Sequence, residues 1–147
     1  MTRAERMQPV QRVIDADERQ RAEKLAGCEK RVAQSEHKLK ELEQYRADYQ
    51  RAYTDRVTGG ISSGGLRDYQ LFLARLAEAI RQQTQAVAAT HSDRDQELKR
   101  WQDAAKRAKA IDHVVENWQA QDRRDADRRE QRDSDERAQR SKRHAAE

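Results

Sequence analysis

Cysteine is nearly absent from this 147-residue chain: Cys28 stands alone, so neither a disulfide framework nor a thiolate metal cluster can form within one molecule. A reducing compartment suits such a chain. Proline occurs once, at Pro9, and four of the five glycines fall between Gly59 and Gly65, which leaves the backbone one place to turn. Aromatic residues make up only 5%, and no apolar run approaches the ~20 residues of a membrane span. The N-terminus lacks an apolar core of signal-peptide length, so the expectation is a protein made and kept in the cytosol, able to work at a membrane surface. Hydrophobic residues reach 35% against 39% charged, with a mean hydropathy of −1.32. Such a chain cannot wrap itself around a thick core.

What the chain does have is a repeat. Counting in sevens from Leu66 as position a, the a and d places read Leu66, Tyr69, Leu73, Leu76, Ile80, Gln83, Val87, Thr90, Arg94, Glu97, Trp101, Ala104, Ala108, Ile111, Val115 and Trp118. Most are apolar and the register never slips, which predicts a long α-helix offering a narrow seam to a partner helix. At 1.5 Å per residue it would be about 80 Å long. The partner is the first third of the chain. With Leu25 as a, its seam is Leu25, Cys28, Val32, Ser35, Leu39, Leu42, Arg46, Tyr49 and Tyr53, with Ile14 and Met7 upstream and Glu18 and Arg21 as interruptions.

The spacing predicts an all-α fold: two long helices forming an antiparallel coiled-coil hairpin with a charged C-terminal extension. Helix one covers about 9–57, with Pro9 in its first turn, the turn covers 58–65, and helix two covers about 66–119. Gly59 and Gly60 supply the stop, and Ser62 or Ser63 the cap, with Ile61 and Leu66 spaced as a hydrophobic staple if Ser62 is the cap. A loop this short returns the chain antiparallel, so residues whose numbers sum to about 122 should face each other. Tyr53 then meets Tyr69, Tyr49 meets Leu73, Val32 meets Thr90, and the stem of Arg21 packs on Trp101. Residues 120–147 hold no apolar side chain larger than Ala and form a charged tail, helical or disordered. Val115 and Trp118 lie where helix one runs out and are expected to be part-exposed.

Chemistry of the usual kinds is not signalled. The four histidines, His37, His91, His113 and His144, are scattered without ligand spacing, and a two-helix hairpin has no cleft of active-site depth. The glycines near the turn lack the Lys-Ser/Thr ending of a phosphate loop. Neither catalysis, nor a metal, nor a cofactor is expected, and Cys28 reads as a small core filler. The net charge of +4 arises from charges alternating in sign, which describes a solvated helix surface better than a nucleic-acid patch.

The edges of the seam are unequal. In an antiparallel pair the g positions of both helices flank one side and the e positions the other. The e edge carries Glu29, Glu36, Glu43, Gln50, Gln70, Ala77 and Thr84, whereas the g edge near the turn carries Tyr45, Ala52, Phe72, Ala79 and Ala86. With Leu42, Tyr49 and Leu76 these make an apolar, aromatic strip open to solvent, which reads as a docking face in preference to a mere widening of the seam.

At these residues the chain resembles a known family. Tyr45 and Tyr49, the Gly-Ile-Ser break at Gly60 to Ser62, then Leu66, Tyr69, Phe72, Leu73, Leu76, Ala79 and Ile80, with Trp101 further on, are similar to FliJ, the small coiled-coil component of the bacterial flagellar type III export apparatus. The charged tail from Arg129 to Ala138 is similar as well. The resemblance implies a cytosolic, non-enzymatic protein at the cytoplasmic face of the inner membrane, peripheral to it through its partners. Those partners would be the hexameric flagellar export ATPase, the large membrane protein of the export gate, and unloaded export chaperones. Carried over, the gate-binding face is Leu42, Tyr45, Tyr49, Phe72, Leu76 and Ala79, flanked by Lys38 and Gln83. The helix ends, Met7 to Arg21 and Ala108 to Arg132, would insert into the ATPase ring.

Three other readings remain at this level. One is the equivalent stalk of a virulence injectisome. A second is a nucleic-acid-binding or structural coiled coil using the basic residues of the tail from Arg123 to Arg143, where nine basic residues stand against eight acidic ones from Gln119 onward. The third is a weak homo-oligomer in which the g-edge strips of two copies pair into a four-helix bundle, burying Tyr45 and Phe72.

Overall fold

The computed structural model describes residues 1–146 and is all-α: helix α1, Arg3–Thr58, packs against helix α2, Ser63–Ala146, in a hairpin, with no strand among the described residues. The last tail residue, Glu147, lies outside the described residues.

Helix α1 begins at Arg3, ahead of the start expected near residue 9. Thr2 and Glu5 form a reciprocal capping box: the Glu5 amide donates to Thr2 Oγ1 (3.2 Å) and the Thr2 amide donates to Glu5 Oε2 (2.8 Å). Pro9 therefore sits in the interior of the helix, beyond its first turn, where its ring removes one backbone hydrogen bond. The lost bond belongs to the exposed Glu5, whose carbonyl water can reach.

At the other end of α1, the Gly59 and Gly60 amides donate to the carbonyls of Arg56 and Val57, both at 3.1 Å. Gly60 adopts φ 87°, a conformation that a side chain would strain. Ser62 then caps α2: the Gly65 amide donates to Ser62 Oγ (3.1 Å) and the Leu66 amide to Ser62 O (3.0 Å). The Ile61 side chain folds over Gly65, where an added Cβ would come within 3.0 Å of Ile61 Cγ1. The glycine opens the helix start to that residue.

The chain divides into two compact units, Met1–Arg19 with Gln102–Glu147, and Gln20–Trp101. In the first, Ala4, Ala104 and Val115 are buried. Arg3 donates to Gln121 (3.2 Å) and its guanidinium lies 5.1 Å from the centre of the Trp118 ring, while Gln11 donates to Asp112 (2.6 Å). Val115, expected to be part-exposed, is thus core at 3% exposure, because α1 starts early enough to cover it. Trp118 is half-buried. Beyond Asp122 every described residue of α2 is exposed, a helix built from charged side chains without a buried face.

In Gln20–Trp101 the seam buries Cys28, Val32 and Leu76. Its aromatic part adjoins the turn, where the rings of Tyr53 and Tyr69 stack at 3.5 Å, the facing pair that antiparallel pairing demands. Further from the turn the seam becomes polar. Ser35 and Thr90 share a hydrogen bond (2.9 Å), Gln83 donates to the Ser35 carbonyl (2.9 Å), and His91 meets Glu36 across the e edge (2.6 Å). Thr90 thus finds Ser35, one turn beyond the Val32 expected opposite it. Arg21 reaches Glu97 at 3.9 Å.

Candidate docking strip beside the turn

Residues Tyr45, Tyr49 and Tyr53 recur every four residues on α1, and Tyr69 and Phe72 answer them from α2 at a spacing of three, so each helix presents its rings along one stripe. The rings form a continuous ladder. Tyr53 stacks on Tyr69 with planes 8° apart, Tyr69 lies 5.4 Å from Tyr49, Tyr49 lies 4.2 Å from Phe72, and Phe72 meets Tyr45 edge-on at 5.7 Å and 84°. Tyr45 to Tyr49 is 6.5 Å. The Tyr45–Tyr49, Tyr45–Phe72 and Tyr49–Tyr69 distances fall in the range where aromatic pairs stabilise one another beyond their area burial. The Tyr45–Phe72 contact joins two g positions, as the Glu36–His91 contact joins two e positions. The unequal edges foreseen from the heptads are therefore physical edges of the hairpin.

Exposure sorts the six strip residues. Tyr45 is 52% exposed, while Leu42, Tyr49, Phe72 and Ala79 are half-buried. Leu76 departs from the expectation of an open strip: at 6% exposure it belongs to the seam, since its d place points it at α1 in the closely packed part of the hairpin. Leu76 supports the strip from beneath and offers it almost no surface. Gln83, placed on the flank by resemblance, is part-buried and turned inward to Ser35. Lys38 stays exposed.

Around the strip the surface is charged. Arg81 donates to both carboxylate oxygens of Glu78, and these hydrogen bonds hold Glu78 far below the usual carboxylate range, at about 2. The same bonds raise Arg81. Glu78 is anionic at every working pH.

Other apolar side chains are exposed without having been foreseen. Leu71, 53% exposed, stands at an f place facing away from the seam; Val10, Val13 and Val114 are 44%, 70% and 37% exposed in the unit of the helix ends. Val10 and Val114 are both g residues, so extending the edge count to the helix ends would have found them.

A solvent-open groove of about 630 Å³ lies at the turn, lined by the Tyr53–Tyr69 stack, Gly60 and Ile61 with Asp55, Arg56 and Asp68. Among the described residues no cluster of three or more His, Cys, Asp or Glu side chains could hold a metal, and no helix is long and apolar enough to cross a membrane. Cys28 is buried and accepts a contact from the Arg31 guanidinium at 3.1 Å.

No curated protein and no solved structure matches the chain. A family model described as flagellar FliJ protein matches residues 3–147. By that match over nearly its whole length, the chain belongs to the FliJ family, a non-catalytic component of the flagellar export apparatus.

Proposed function

We propose that this protein is a stalk that couples the hexameric export ATPase to the large membrane protein of the export gate, and that it escorts unloaded export chaperones. It works in the cytoplasm, at the inner face of the membrane, and is held there by its partners. The gate is met by Leu42, Tyr45, Tyr49, Phe72 and Ala79, with Leu76 as their support; the helix ends, Met7 to Arg21 and Ala108 to Arg132, enter the ATPase ring.

The observation that carries this reading is Tyr45. A tyrosine that is 52% exposed, braced edge-on by Phe72 and backed by the three further rings of the ladder, is held in place without being buried. Aromatic side chains held rigid at a surface are the usual anchors of protein interfaces, because little conformational entropy remains to be lost on binding.

The test is hydrolysis by the purified export ATPase with the chain added at a stoichiometric ratio. A raised rate is expected, and it should persist with Tyr45→Ala, which lies away from the helix ends. An unchanged rate with the wild-type chain refutes the coupling.

A further inference from the structure

Much of what joins the helices in Gln20–Trp101 repeats every seven residues, and a repeat cannot distinguish one register from the next. Leu73 and Leu76 on α2, level with Tyr49 and Arg46, come level with Leu42 and Leu39 when one helix slides by a heptad, and Val87 comes level with Cys28, so the slid register again sets apolar on apolar. The e edge is equally blind. His91 meets Glu36, but Glu29 and Glu43 stand seven residues to either side and would take its place.

Besides the polar Ser35, Gln83 and Thr90 and the charged Arg46 nearer the turn, three charged residues interrupt the end of this seam that lies away from the turn: Arg21, Arg94 and Glu97. The Glu97 side chain is only 14% exposed, with Arg100 at 2.6 Å and Arg21 at 3.9 Å, and its buried Oε2 accepts no hydrogen bond. Arg94 is 33% exposed and pairs with its neighbour Asp95 at 3.0 Å. Charges held in a seam stabilise it less than apolar residues of similar volume would. Their presence calls for a role other than stability.

We infer that Arg21, Arg94 and Glu97 form a register lock that forbids the helices to slide by a heptad. In the native register Arg21 is level with Trp101 and reaches Glu97. Slid one way, Arg21 comes level with Arg94, and two guanidinium groups share a seam layer. Slid the other way, Glu97 leaves Arg21 and comes level with Val32, a layer that is buried at 7% exposure. Both neighbouring registers are penalised, one by like charges and one by an unpaired carboxylate among apolar side chains. The turn pins the helices near Gly60; the lock acts at the opposite end of the same unit. The lock does not rest on the stalk reading, although a rod that carries load between two partners needs helices that do not creep.

Disulfide trapping at equilibrium in a glutathione buffer tests this on the full chain carrying Cys28→Ser. Glu36→Cys with His91→Cys reports the native register; Glu29→Cys or Glu43→Cys with His91→Cys reports a slide in either direction. With the seam intact the native pair should dominate within single chains. Adding Arg94→Glu gives Arg21 an opposite charge in the slid register, and the 29–91 bond should rise about tenfold or more over the parent. Adding Arg21→Leu, Arg94→Leu and Glu97→Leu together should raise both slid bonds while also raising the urea midpoint. This second variant removes charges and keeps the helices, so it decides the matter even if Arg94→Glu disturbs folding. Unchanged trapping in both variants overturns the lock.

Discussion

Tyr49 and Tyr45 are one helical turn apart and chemically identical, yet their removal should have opposite consequences. Tyr49 is half-buried, with Phe72 at 4.2 Å and Tyr69 at 5.4 Å on the facing helix. Its replacement by Ala forfeits two cross-helix ring pairs, each worth ~0.5–1.5 kcal/mol, and leaves part of a cavity; a half-buried ring should lose roughly half the ~3–5 kcal/mol of a core aromatic. Together these overlapping terms give a loss of about 2–3 kcal/mol. Tyr45, 52% exposed and touching Phe72 only edge-on across the helices, should cost about 0.5–1 kcal/mol on the same reasoning. Urea unfolding followed by helical circular dichroism separates them, with the midpoint read at unchanged denaturant slope. Equal losses for the two variants would refute the assignment of Tyr49 to structure and Tyr45 to surface.

Three further outcomes are expected. Gly60→Ala should lower stability by about 1–2 kcal/mol in the same assay, because φ 87° places a Cβ in the left-handed region; a neutral effect would mean that the turn is held in another way. The Glu78 carboxyl should titrate by NMR at about 2, and Arg81→Gln should return it towards the ordinary carboxylate range. Since its folded value is depressed, the Glu78–Arg81 contact favours folding above the ordinary carboxylate range and is lost as pH falls towards 2; with both side chains open to solvent, that contribution is small. Ending the chain after Asp122 should leave the urea midpoint unchanged, since no described residue beyond it is buried, whereas a large drop would assign the tail a packing role.

Periodicity carried most of the fold because a coiled coil is itself a periodic object. The heptads around Leu25 and Leu66 specified two helices, the glycines specified the turn, and antiparallel pairing then put Tyr53 on Tyr69 and separated an aromatic g edge from a polar e edge. The misjudged features were those that periodicity does not encode. The start of α1 is set by the Thr2–Glu5 capping box, a local signal that lies ahead of Pro9 and outside the heptads, and the early start is what covers Val115. Edge and seam places adjoin on a helix, so position alone leaves Leu76 on the open strip, whereas the packing of α1 covers it. The polar contacts of Gln83 and Arg21 depend on side-chain reach along the seam, up to a turn from the level residue, and no count of positions supplies that.

The proposed function makes the aromatic strip a docking face presented by a hairpin that stands without it. Titration of the purified cytoplasmic domain of the gate's large membrane protein with the wild-type chain and with Tyr45→Ala tests it most directly. Binding by the wild type and at least about a tenfold loss of affinity for Tyr45→Ala are expected, with the helical signal of the two chains the same. Equal affinities for the two chains would contradict it.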